Sequence, residues 1–207
     1  MAFEALQARL EANGFLVRVF ATKEEAAAYL DGAIDHTTVG FGGSETLRQL
    51  GLKERLAAHN TVYTHHGLTR DEDVDRMIAL AMTTDVYVMS ANAIAENTGE
   101  ILNIDCTGNR LSSALFGHRK VYMVAGKNKV SPDFDSALYR LRNVVAPKNA
   151  QRLHRNTPCA AKGDRCYNCS SPERICNGLL VFYKKMEALA GEEREMEVVL
   201  IDEELGF

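Results

Sequence analysis

No apolar run in this chain approaches the roughly 18 residues that a membrane-crossing helix needs, which excludes a helical integral membrane protein. There is no basic stripe either. Acids and bases are interspersed around a net charge of −4, so the electrostatic footprint of a nucleic-acid binder is missing. Internal repeats and low-complexity tracts are absent, and tryptophan is absent altogether, which excludes nothing. The opening residues, MAFEALQARLEANGF, lack the form of a signal peptide and read as an amphipathic helix, so a cytosolic protein is expected. What remains is a partner that is a small molecule or another protein. With 207 residues, 46% of them apolar, the chain can bury a substantial core as one large domain, or one domain with a small appendage.

Helical and strand patterns alternate from the first residue. Ala2 to Asn13 predicts a helix ended by Gly14, and Phe15 to Phe20 a strand. Thr22 with Glu25 three residues on is a capping box for a helix through Leu30. Strands are predicted at Thr37 to Phe41, from Thr61, at Asp85 to Ala91, at Gly99 to Asp105 and at Lys120 to Gly126. Helices are predicted through Leu50, at Leu52 to His59, Asp71 to Met82, Gly108 to Phe116 and Asp133 to Arg142. This alternation predicts an α/β fold, a mostly parallel sheet with helices on both faces. GLLVFYKK and EMEVVLID are two further strand patterns, expected at a sheet edge. Periodicity fades between Pro147 and Thr157, the one plausible boundary.

Three strand-end loops carry residues suited to chemistry. Gly42, Gly43 and Ser44 follow the strand at Thr37 to Phe41; backbone amides there and the start of a helix favour an anion. Ser44 acting only as a helix N-cap is the plainer reading. The second loop region carries Asn92, Asp105, Thr107, Gly108, Asn109 and Arg110, with Arg110 able to bind a carboxylate or phosphate bidentately. Glu96, Glu100 and Asp105 are the acid/base candidates, provided they lean over one cleft. Third, Lys127 or Lys129 offers positive charge to the same cleft. One of His65 and His66 can join it, because adjacent residues of an extended chain face opposite sides. His36, His59, His118 and His154 have no partners at metal-ligand spacing and read as structural or exposed.

Four of the five cysteines fall within eighteen residues, Cys159-x6-Cys166-x2-Cys169-x6-Cys176. Four soft ligands in a Gly- and Pro-containing segment, 157–177, predict a looping knuckle around a metal centre rather than a helix. In a reducing compartment a metal is favoured over disulfides. The spacing matches neither a zinc ribbon nor a bacterial ferredoxin run, so Zn²⁺, an iron–sulfur cluster and free thiols all stay open. Cys106, beside Asp105, is a candidate nucleophile or a small core residue.

The segments GFGGSETLRQLGL, AMTTDVYVMSANAIAENTGEILNIDCTGNR, KVYMVAGKNKV, ALYRLRNVVAPKNAQRL, TPCAAKGDRCYNCSSPERICN and VVLIDEELGF, in that order from Phe15 to Phe207, resemble the lactate-utilisation (LUD) domain family. The resemblance implies one LUD-type domain over 1–207, related to ribose-5-phosphate isomerase and CoA-transferase domains. It implies a part in oxidising L-lactate, or a similar 2-hydroxy acid, to the keto acid, alongside iron–sulfur partner proteins. Only motif positions carry over: Gly42, Gly43, Ser44, Asn92, Asp105, Thr107, Gly108, Asn109 and Arg110. At Cys106 the family pattern has glycine, which argues against an essential nucleophile there. Two rivals stand beside this reading. One is a sugar-phosphate isomerase or acyl-CoA transferase using Glu96, Glu100 or Asp105 as base. The other is a non-catalytic regulatory or assembly subunit. A small anionic metabolite is the expected ligand, and a homo-oligomer is compatible with all three.

Overall fold

Contiguous apolar runs such as VYMVA and VVLI suit strands buried on both faces, and that is how the computed structural model, which describes residues 3–65 and 67–207, uses them. The elements run α1 (Glu4–Ala12), β1 (Leu16–Phe20), α2 (Lys23–Ala33), β2 (Thr38–Phe41), α3 (Glu45–Gln49), α4 (Leu52–Leu56), β3 (Thr61–Tyr63) and α5 (Asp71–Ala81). The chain continues with β4 (Val86–Ser90), β5 (Ala93–Ala95), β6 (Ile101–Asp105), α6 (Asn109–Leu115), β7 (Lys120–Gly126) and β8 (Val130–Ser131). It ends with α7 (Phe134–Arg140), α8 (Ala146–Arg152), α9 (Pro158–Lys162), β9 (Gly178–Phe182) and β10 (Glu195–Ile201). The helix start expected at Ala2 lies outside the described residues.

Six strands form an all-parallel sheet in the order β1-β10-β7-β4-β2-β3. Alternation along each strand splits the core in two. Tyr87, Met89, Val121, Met123, Val198 and Leu200 face α1, α5, α6 and a second sheet. Val39, Phe41, Val88, Tyr122, Val124 and Val199 face α2, α3 and α4. Helices therefore cover both faces, as the pattern predicts. The Thr22–Glu25 capping box opens α2 with both reciprocal bonds present.

The second sheet, β8-β5-β6-β9, has antiparallel β5–β6 and β6–β9 pairs. One of its faces gives Ile94, Ile101 and Phe182 to the main core, and the other gives Ala93, Ala95 and Leu102 to α7. Three expectations are corrected. First, of the two strands expected at an edge, only β9 lies at one; β10 lies inside the main sheet between β1 and β7. The unbroken VVLI run, buried on both faces, is the physical reason. Second, GEILNID joins the second sheet, antiparallel, because β5 forms where the sequence suggests only a turn. Third, helix continues where periodicity fades. Between α7 and α8 the segment Leu141–Val145 is one π turn, opened where Pro147 lacks the amide that would bond the carbonyl of Asn143. Among the described residues no helix is long and apolar enough to cross a membrane.

Candidate functional site

From β2 the chain moves to β3 on one side, and from β4 it moves to β7 on the other. The crevice at the carboxyl ends of β2 and β4 is thus a topological switch point, where open parallel sheets bind ligands. A cavity of about 390 Å³ sits there, lined by Gly43, Ser44, Asn92, Asp105, Thr107, Asn109 and Arg110 among the predicted residues. Thr46, His65, Ser90, Lys129, Arg152 and Arg155 also line it.

Gly42 acts from behind the wall. Its amide donates to the Val88 carbonyl at 3.1 Å, prolonging the sheet, and a Cβ on it would lie 2.9 Å from Arg110 Cγ. The glycine makes room for the arginine stem. Ser44 is the N-cap of α3, its Oγ accepting from Leu47 N at 3.2 Å while donating to Ser90 Oγ at 2.8 Å. The plainer capping reading and a place at the cavity therefore hold together. Asn92 Oδ1 accepts from Ile104 N at 2.9 Å and the Asn92 amide donates to Asn103 Oδ1 at 3.1 Å, which locks the β4 tip against β6.

Asp105 is buried and occupied. Its carboxylate accepts from Cys106 N at 2.8 Å and Arg110 N at 3.1 Å, and it lies 3.4 Å from Arg110 Nη2. Arg110 Nη2 also donates to the Ile104 carbonyl at 2.6 Å. Thr107 Oγ1 donates to Asn109 Oδ1 at 2.7 Å, and Gly108, at φ +85°, supplies the left-handed turn into α6.

Of the acid/base candidates, Glu96 and Glu100 do not reach the cavity. The β5–β6 hairpin leaves the site at Asn92 and returns at Asp105, so its turn, with both glutamates, lies at the far end. Lys127 also stands apart, pairing with Asp202 at 3.1 Å on the surface. Lys129 enters instead. It is 2% exposed, and Nζ donates to Thr46 Oγ1 at 2.7 Å and the Ala91 carbonyl at 3.0 Å. Burial, reinforced by the positive charges of Arg140 and Arg110, pushes its pKa down to about 7. Among the described residues no carboxylate pairs with it.

His65 lines the same cavity, its pKa held below the ordinary imidazole value by burial first and by Arg110 next. His66 lies outside the described residues. Arg152 reaches the cavity from the end of α8, its pKa lowered chiefly by burial. Sequence reading missed Arg152 and Arg155 because no strand-end rule points to them. Of the remaining histidines, His118 is buried, and His59 bridges Asp31 and Asp35 at 2.9 and 2.7 Å.

A second cavity, also about 390 Å³, is lined by Cys159, Cys166, Cys169 and Cys176. All five cysteines are free thiols. The segment is not wholly looped. Thr157 Oγ1 accepts from Ala160 N, Pro158 takes the first helical position and Gly163 ends α9 at φ +70°, so proline and glycine here mark the ends of a helix carrying Cys159. Among the described residues no three Cys, His, Asp or Glu side chains converge on a single ion position. Cys106 lines the first cavity, with its carbonyl accepting from Asn177 Nδ2 at 3.1 Å.

A family model described as the LUD domain matches residues 3–201. The fold is similar to the crystal structure of a DUF162 family protein from Deinococcus radiodurans, with TM-score 0.50 and 11% identity over 95% of this chain and 94% of that one. No curated protein matches the sequence.

Proposed function

Because the chain belongs to the LUD-domain family, a family associated with lactate utilisation, we propose that its strand-tip cavity binds a small organic anion in support of oxidising L-lactate or a similar 2-hydroxy acid. The observation that carries this reading is cationic. Arg110, Lys129, Arg152 and Arg155 line the cavity, and Lys129 is buried among the described residues with no carboxylate partner. A buried cation without a counter-ion is costly, and a bound carboxylate supplies one.

In this reading Arg110 and Arg152 hold the carboxylate and Lys129 adds the third contact. The Ser44–Ser90 hydroxyl pair faces the ligand's 2-oxygen, and His65, its pKa lowered chiefly by burial, is the candidate proton acceptor. Asp105 serves to position Arg110, its oxygens being already engaged. The electrons removed from a hydroxy acid pass to iron–sulfur partner proteins, and the site works in the cytosol.

A second reading, binding of a sugar phosphate or a CoA ester, is favoured by one observation: four basic side chains, Arg110, Lys129, Arg152 and Arg155, line the cavity against two carboxylates, Glu45 and Asp105. The glycine loop after β2 likewise supports kinship with ribose-5-phosphate isomerase and CoA-transferase domains. Titration calorimetry with L-lactate, pyruvate, ribose 5-phosphate and acetyl-CoA separates the two. The first reading expects L-lactate or pyruvate to bind at one site and Arg152→Ala to weaken binding about tenfold or more. Binding of phosphorylated ligands alone transfers the site to the second reading. Binding of none defeats both.

A further inference from the structure

All four cysteines of 157–177 line one cavity, yet among the described residues no three Cys, His, Asp or Glu side chains gather at a single ion position. A polynuclear cluster takes one cysteine sulfur on each of several irons, so its ligands need no common point. The volume enclosed, about 390 Å³, suits a group of small-molecule size.

The groups around the sulfurs are donors. Arg174 Nε donates to Cys176 Sγ at 3.0 Å, Arg142 Nη2 to Cys166 Sγ at 3.8 Å and the Asn168 amide to Cys166 Sγ at 3.3 Å. Thr157 Oγ1 lies 3.4 Å from Cys159 Sγ. The two guanidiniums offset the negative charge that a four-thiolate centre carries. The Arg174 guanidinium also donates to the carbonyls of Cys169 and Cys176, at 3.2 and 3.0 Å, so it ties two ligand positions together. Arg142 comes from the π turn between α7 and α8, an irregularity that sets it over this cavity.

The two cavities share a wall. Ile104 and Ala146 line both, one from the end of β6 and the other from the start of α8. Asn177 lines the cysteine cavity and donates to the carbonyl of Cys106, which lines the anion cavity.

We infer that the cysteine cavity is the seat of a polynuclear iron–sulfur cluster ligated by Cys159, Cys166, Cys169 and Cys176, set one side-chain layer from the anion cavity. The cluster assignment stands on the cysteine cavity alone. Its communication with bound anion rests on the proposed function.

The test uses the full chain reconstituted with iron and sulfide without oxygen. The expected result is about four iron and four sulfide per chain, with a brown chromophore bleached by dithionite. Cys169→Ser should lose the chromophore, and Arg152→Ala should keep it. Stoichiometric zinc without iron, or a colourless metal-free chain, overturns the assignment. Should Cys169→Ser fail to fold, Arg174→Gln decides: it keeps every ligand sulfur, so iron content should persist while the midpoint potential shifts to more negative values. An unchanged potential refutes the placement of the cluster beside Arg174. Saturating L-lactate should then perturb the cluster's electron paramagnetic resonance spectrum in the reduced protein. A normal cluster that ignores L-lactate, pyruvate and phosphorylated ligands counts against the anion reading alone. Anion binding by an iron-free chain counts against the cluster alone.

Discussion

Lys129 Nζ donates to Thr46 Oγ1 at 2.7 Å, joining the segment after β7 to the first turn of α3 beneath the anion cavity. The contact keeps an amine where water does not, and burial brings its pKa to about 7 from an ordinary value of 10.5. The unfolded chain therefore binds more protons than the folded one between those two values, and stability rises with pH across that window. Below about pH 7 the full penalty is present. Lys129→Met removes the penalty, so at pH 7 the variant should unfold at a higher Tm, reflecting a stability gain on the order of a few kcal/mol. The advantage should shrink as pH approaches 10. A variant no more stable than the parent at pH 7 would show that Lys129 is not held at a cost.

The same amine predicts the pH dependence of binding. An anion beside Nζ raises its pKa again, so at about pH 8 binding should take up a proton. Calorimetry of L-lactate binding in buffers of different ionisation enthalpy measures that uptake. Affinity should fall as pH rises above 7, approaching about tenfold per pH unit for one coupled proton. Lys129→Met should lose both the uptake and the slope. Proton-neutral binding in the parent chain removes Lys129 from the site.

Gly42→Ala tests the room given to Arg110. The added Cβ would stand 2.9 and 3.0 Å from Arg110 Cγ and Cδ and 3.1 Å from Tyr87 Oη. The arginine stem is flexible, so the chain should fold with a loss of about 1 kcal/mol, while the guanidinium is driven from its place over Asp105. Anion affinity should fall by about fivefold or more, read by titration, with a modest drop in Tm. Gly40→Ala is the contrast. Its Cβ would press on the Ala81 carbonyl, which is backbone and cannot swing away, so folding itself should suffer.

Much of this was legible in the sequence, because local signals coincided with tertiary ones. The Thr22–Glu25 box, the continuous run of β7 and the glycines after β2 each point to the same element from propensity, burial and turn chemistry. The three-residue β5 was not legible. AIA, a single isoleucine between two alanines, is too short to read as a strand and becomes one by pairing with β6 and β8. That omission misplaced Glu96 and Glu100, since an unseen hairpin cannot be known to carry its turn away from the site. Lys127 and Lys129 look alike in the sequence. Only the short 3₁₀ turn across Lys127–Lys129 decides which one turns inward. Arg152 reaches the cavity at the end of a helix that follows the π turn, and Arg155 from just beyond it, and a π turn cannot be read from residue spacing.

Asp105 separates a positioning role from a catalytic one. Its carboxylate accepts two amides at the start of α6 and pairs with Arg110 Nη2 at 3.4 Å, both side chains being largely buried. In Asp105→Asn one oxygen becomes an amide donor facing other donors, and the guanidinium loses its counter-charge. The expected cost is about 3 kcal/mol, a Tm lower by about 6–12 °C. Anion affinity should weaken in parallel because Arg110 is no longer held. A general base would behave in the opposite way, since its amide isostere would fold and bind normally and stop only the chemistry. Thermal unfolding and titration of the one variant therefore distinguish the roles, and a stable, ligand-competent Asp105→Asn protein would return Asp105 to the list of candidate bases.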